Sequence, residues 1–178
     1  ADGSESRRSV AIVKTALLVL GSLVTPVALA GPPRGDYVRI ETPAAVDVAP
    51  GGFATALVRF TVREGFHVQA NPAASPQLVA TVLSFPPAAK GAPLALGPVD
   101  YPPGQPYRLR GSDRSLSTYS GTVTLEVSVA ANAEAEPGLK KAQATLRYQA
   151  CDDTTCFFPQ TDLVEITARV VPPAKRRR

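Results

Sequence analysis

The run Thr122-Val123-Thr124-Leu125-Glu126-Val127-Ser128-Val129 alternates without a break. In an extended chain Val123, Leu125, Val127 and Val129 fall on one face, and Thr122, Thr124, Glu126 and Ser128 on the other. Successive strand side chains point to opposite faces, so this is a strand with one side in a core and the other in water. Beyond residue 30 no segment sustains a helical period of useful length, and the 18 prolines of the 178-residue chain work against long helices. Strands are expected at 37–42, 53–62, 66–69, 78–84, 94–101, 105–109, 121–129, 142–150 and 163–171, separated by Pro, Gly, Asn and Asp clusters. Residues 131–141 read as one helical turn or a loose loop. Short strands at this spacing predict an all-β domain, an immunoglobulin-like β-sandwich.

The chain has two cysteines, Cys151 and Cys156. Alternating residues lead up to Cys151, the polar turn formers Asp152, Asp153, Thr154 and Thr155 follow, and Phe157, Phe158 and Pro159 come after Cys156. The pair is therefore expected to face across the neck of a β-hairpin, a geometry that can close a disulfide. Closing so small a ring stabilises a fold by only about 2 kcal/mol, against roughly 4 to 5 for a bridge spanning a domain. A staple is poorly placed here, whereas a redox pair within reach of a partner thiol is well placed.

The N-terminal stretch points to export. Arg7 and Arg8 precede an apolar segment that runs without charge from Thr15 to Ala30 and ends in Ala28-Leu29-Ala30, a small-x-small cleavage pattern. Its 16 residues fall short of the roughly 20 of a spanning helix, so residues 1–30 read as a cleaved signal peptide. Residues 31–174 are expected to form one domain, followed by a basic tail at 175–178. Outside the cytoplasm a cysteine pair is normally a disulfide or a redox couple.

Charge and motifs exclude other classes. From residue 31 onward there are 16 Lys/Arg and 13 Asp/Glu, but four of the cations are Lys175, Arg176, Arg177 and Arg178. The folded body is thus close to neutral, and nucleic acid is not implied. His67, the one histidine, with Cys151 and Cys156 makes three metal ligands at most, so it reads as structural and no metal is expected. A Cys-His hydrolytic pair is disfavoured, since exported cysteines at this spacing prefer each other. Ser112, Ser115, Ser117 and Ser120 read as turn residues with no nucleophile elbow around them. No glycine-rich phosphate loop is present, and no cofactor is implied.

Several of these residues together resemble the N-terminal, extracytoplasmic domain family of the thiol:disulfide interchange protein DsbD. The resemblance rests on Tyr148-Gln149-Ala150-Cys151, the polar loop, Cys156-Phe157-Phe158-Pro159, Gly65-Phe66-His67-Val68 with Asn71-Pro72, Val99-Asp100-Tyr101-Pro102 and Tyr119-Ser120-Gly121. It implies an immunoglobulin-like domain whose cysteine pair carries electrons between a membrane-embedded thiol reductase and periplasmic thioredoxin-like proteins. It also implies a cap over the disulfide, which falls here on residues 110–120 with Leu116 and Tyr119 as the bulky side chains. Tyr148, Phe157, Phe158 and Pro159 complete the candidate cap and docking set.

Local charge suggests how the pair works. Asp152 and Asp153 disfavour a thiolate at Cys151, and neither a cation nor a helix N-terminus is adjacent in sequence. The expected behaviour is that of a carrier whose thiols stay protonated until a partner docks. Cys156 is expected to join the partner, with the neighbouring aromatics as an apolar docking patch. The alternative is a non-catalytic binding module in which the aromatics are core and the hairpin disulfide is static.

Overall fold

Alternation decides where the strands lie. The computed structural model describes residues 35–111 and 113–172, so the expected signal peptide, the basic tail and Ser112 fall outside the described residues. Within them the chain forms β1 (Val38–Ile40), β2 (Val46–Val48), β3 (Phe53–Val62), β4 (His67–Gln69), β5 (Val82–Ser84), β6 (Leu94–Asp100), β7 (Gln105–Arg108), β8 (Ser115–Tyr119), β9 (Thr122–Ala131), β10 (Gly138–Tyr148), β11 (Ala150–Cys151) and β12 (Gln160–Val170). No helix occurs among the described residues.

The first sheet, in the order β1-β3-β9-β6, is built on the antiparallel pair β3–β9, in register from Phe53↔Ala130 to Thr61↔Thr122. Val58 and Phe60 of β3 and Val123, Leu125, Val127 and Val129 of β9 are buried, as their alternation requires. The second sheet, β2-β12-β10-β5, is built on β10–β12, in register from Gly138↔Val170 to Tyr148↔Gln160. It buries Leu146, Tyr148, Val164, Ile166, Ala168 and Val170. The inner faces of both sheets merge into one apolar cluster, which makes the immunoglobulin-like sandwich. Residues such as Phe60, Leu125 and Ile166, all fully buried, each contribute about 1.5–3 kcal/mol through lost water contact.

A third sheet, β11-β4-β8-β7, grows out of the core strands at one end. The chain passes from β3 into β4 through Gly65 and from β8 into β9 through Gly121, whose φ values of 81° and 63° suit glycine. It passes from β10 into β11 across Gln149. Because Thr61 pairs with Thr122, the end of β3 and the start of β9 lie together, and β4 and β8 continue from that point. The cysteine segment is thereby fixed on a rigid frame.

Four expectations are corrected. Residues 131–141 hold neither a helical turn nor only a loop: after a turn closed by Ala135 N–H donating to Asn132 O, Gly138 onward is ladder, with Leu139, Lys140 and Lys141 opposite Arg169, Ala168 and Thr167 of β12. Residues 110–120, expected as a cap loop, contain strand β8, which pairs with both β4 and β7. Strand β2 was not expected, being three residues that pair parallel to the end of β12. Only 82–84 of the expected strand 78–84 is ladder. Thr81 before it is held by N–H and Oγ1 bonds to Gln69 O instead.

Candidate functional site

The hairpin that carries the cysteines is fixed by its own polar residues. Asp152 N–H donates to Thr155 O at 2.9 Å and Phe157 N–H to Ala150 O at 2.8 Å, which places Cys151 opposite Cys156. Asp152 Oδ1 closes the turn by accepting from Thr154 N–H at 2.8 Å, Thr155 N–H at 2.7 Å and the Thr154 hydroxyl at 3.0 Å. These bonds hold the Asp152 carboxyl below the usual carboxylate range, the Thr154 and Thr155 amides being the main cause. The sulfurs are bonded, with Cα atoms 3.9 Å apart. They differ in access: Cys151 is fully buried and Cys156 half-buried.

Strand β4 backs the bridge. His67 pairs with Cys151 across the β4–β11 ladder, and Gln69 Nε2 donates to Cys151 Sγ at 3.4 Å. Both side chains are buried. Burial pushes the His67 imidazole below its ordinary value, against the opposing pull of Asp153 and Asp152. The ring therefore stays neutral where an exposed histidine would begin to charge.

Strand β7 reaches the hairpin from the other side. The Tyr107 ring centroid is 3.8 Å from that of His67, and the Tyr107 hydroxyl donates to Asp153 Oδ1. That bond is the main reason the phenol sits above its ordinary pKa. Arg110 N–H donates to Asp153 O at 3.0 Å. A cleft of about 240 Å³ opens beside these residues, lined by Phe66, His67, Tyr107, Thr118 and Asp153 among others.

Of the expected cap residues, Arg110 at the start of the 110–120 stretch touches the hairpin. Leu116 is buried in β8 opposite Tyr107. Tyr119 is also buried; its hydroxyl donates to Pro102 O at 2.8 Å and accepts from Asn71 N–H at 3.2 Å, tying loops together. Tyr148 lies in the core with its hydroxyl donating to Asp162 Oδ2 at 2.9 Å. The expected docking trio divides. Phe157 stacks on Tyr37 at 4.9 Å and lies 6.0 Å from Phe66, over which the Arg63 guanidinium sits at 4.5 Å. Phe158 is 71% exposed and Pro159 is exposed too. Tyr107 and Gln69 were not foreseen as site residues. The available signal was the period of two, which sets the polar pair His67 and Gln69 on one face of a short apolar segment.

Two bonded cysteines of unequal burial lie in a closed hairpin beside a buried amide, an arrangement compatible with thiol–disulfide exchange. Among the described residues no cluster of three or more His, Cys, Asp or Glu side chains is placed to hold a metal ion. No helix there is long and apolar enough to cross a membrane.

Residues 37–168 match the family model described as "Thiol:disulfide interchange protein DsbD, N-terminal". Among solved structures, the N-terminal periplasmic domain of ScsB from Proteus mirabilis is similar at a TM-score of 0.51 and 12% identity, over 77% of this chain and 49% of that one. The chain thus spans about half the length of that relative, and the likeness is one of fold. The N-terminal domain of DsbD from Neisseria meningitidis, in its reduced form, is similar at a TM-score of 0.46 and 17% identity, over 75% of this chain and 86% of that one. No curated protein sequence matches the chain.

Proposed function

The chain belongs to the N-terminal domain family of the thiol:disulfide interchange protein DsbD, and from that premise we propose that Cys151 and Cys156 are its exchanging pair, passing reducing equivalents to thioredoxin-like proteins. The observation that carries this reading is the unequal burial of the two cysteines. A partner thiolate attacks Cys156 Sγ in line, a mixed disulfide forms, and Cys151 leaves as a thiolate that is then protonated. The partner's second thiol resolves the mixed disulfide and releases Cys156, so that a dithiol is oxidised and this domain is reduced. Run in reverse, the same steps hand the electrons on.

The domain, taken as residues 31–174 after removal of 1–30, works in this reading in the periplasm or an equivalent exported space. A membrane-embedded thiol reductase is the upstream source of electrons. Exposed Phe158 and Pro159 beside Cys156 supply the apolar docking surface. Leu116, Tyr119 and Tyr148 support the frame beneath it.

Trapping tests the assignment. Cys151→Ser, which keeps Cys156 alone, is expected to form a stable mixed disulfide with a thioredoxin-like protein stripped of its own resolving cysteine, and Cys156→Ser to trap far less. Equal or reversed trapping would overturn the choice of Cys156. A bridge that stays closed at every glutathione ratio would favour the static binding module.

A further inference from the structure

Two buried polar atoms beside the bridge have no hydrogen-bond partner: His67 Nε2 and Gln69 Oε1. His67 is 3% exposed and Gln69 0%. They lie two residues apart on β4, so their side chains leave the strand on the same face. His67 is opposite Cys151, and Gln69 already donates to the Cys151 sulfur. Buried polar atoms in native proteins are nearly always paired, and each exception calls for a cause. Gln69 Oε1 is an acceptor and His67 Nε2 a donor or acceptor by tautomer, and both side chains share the face of Cys151, whose sulfur, while bonded to Cys156, carries no hydrogen to donate. Opening the bridge changes that. Cys151 then becomes a thiol, whose one S–H can serve His67 Nε2.

We infer that His67 and Gln69 form a receiving site for the Cys151 sulfur. The Gln69 amide N–H holds the thiolate as the bridge opens, and His67 Nε2 relays the proton that turns it into the thiol and then accepts its S–H hydrogen bond. The inference rests on the exchange reading above and deepens it. In electron terms, an incoming thiolate bonds to Cys156 Sγ, the Cys151–Cys156 bond breaks, and its electron pair goes to Cys151 Sγ. The proton that joins that pair comes from solvent through the imidazole: Nδ1 takes one up as Nε2 gives its own to the sulfur, which leaves Nε2 bare to accept the new S–H bond. The groups facing the imidazole are Cys151 on β11, Tyr107 on β7, and Asp152 and Asp153 in the turn. Burial keeps the ring neutral and thus able to accept, while the two carboxylates keep protonation within reach.

Dithiothreitol, which needs no docking surface, isolates this site from any partner. Gln69→Leu and His67→Phe are each expected to slow opening of the bridge by dithiothreitol about tenfold and to shift the glutathione midpoint toward the oxidised form by about tenfold, the worth of one buried hydrogen bond. Folding of each variant is checked by its unfolding transition. Wild-type rates and midpoints in both folded variants would overturn the inference and leave the exchange reading intact. A wild-type bridge that never opens would overturn the exchange reading itself. The unsubstituted domain supplies a second measurement, because His67 is its one histidine. In the reduced protein the ring ¹⁵N titration should differ from that of the oxidised protein and carry a second inflection from the Cys151 thiol. Identical curves in both redox states would overturn the inference without any substitution.

Discussion

The Tyr107 hydroxyl donates to Asp153 while the Tyr107 ring lies against His67, so one side chain joins strand β7 to both halves of the disulfide environment. The tether crosses 46 residues of sequence and touches the hairpin only at its exposed turn. Any movement of the hairpin that accompanies opening of the bridge works against this contact.

Tyr107→Phe removes the hydroxyl and keeps the ring over His67. The expected outcome is a several-fold faster reduction of the bridge by dithiothreitol at unchanged thermal stability. Stopped thiol alkylation with time gives the rate. An unchanged rate would mean that Asp153 is held well enough by its backbone bond to Arg110.

The disulfide itself contributes little to the fold, because the hairpin is already closed by Asp152 and by the Phe157–Ala150 backbone bond. Replacing both cysteines by serine is expected to cost about 2 kcal/mol, the closure entropy of a six-residue ring. Serine suits the buried position 151, since its hydroxyl can donate to the unpartnered Gln69 Oε1. Denaturant unfolding of the double variant measures the cost. Loss of a cooperative transition would identify the bridge as a structural staple.

Acid should loosen the turn before it unfolds the domain. Asp152 is held below its ordinary pKa by the Thr154 and Thr155 amides, so its contribution is complete above the unfolded carboxylate value of about 3.9 and is lost as pH falls through the lower folded value. Hydrogen exchange at the Thr154 and Thr155 amides should accelerate in that window. Asp152→Asn keeps the accepting oxygen and should remove the acceleration.

The long strands of the two main sheets were legible because they announce themselves locally. Strand β3 falls where its alternation places it, and β9 overruns its expected end by two residues, Ala130 and Ala131, which continue to pair with β3 and β6. In the third sheet β4 and β7 fall within the expected 66–69 and 105–109, but β8, which joins them, was not legible. Strand β8 is short and rich in serines that read as turn formers, and it is ladder because β4 and β7 lie on either side of it. The cysteine hairpin was readable from Asp152 to Thr155, whose side chains close turns in any context. Gln69 and Tyr107 were not: the period of two sets Gln69 with His67, but Gln69 meets Cys151 across 82 residues and Tyr107 meets Asp153 across 46.

His67 supplies a second pH dependence, separable from the carboxylates by its range. Its folded pKa is lowered by burial, so the unfolded chain binds the proton first. Stability is therefore complete above the unfolded value of about 6.5 and declines as pH falls below it toward the lower folded value. Unfolding curves collected between neutral pH and about 5 should show the decline. His67→Phe should flatten it, whatever its effect on stability at neutral pH.

The aromatic pair after Cys156 separates binding from folding. Phe157 packs against Tyr37 and Phe66 at the edge of the core, and its backbone carbonyl accepts from Gln149 Nε2 at 3.1 Å. Phe158 is largely solvent-exposed. Phe157→Ala is expected to cost about 2 kcal/mol, less than a fully buried phenylalanine would, since the ring is only half-buried. Phe158→Ala should change stability by no more than about 0.5 kcal/mol. It should, however, slow formation of the mixed disulfide with a thioredoxin-like protein while leaving reduction by dithiothreitol untouched, because the small thiol does not use the surface. If Phe158→Ala slows neither reaction, the partner approaches Cys156 from the side of Tyr107 and Asp153 instead.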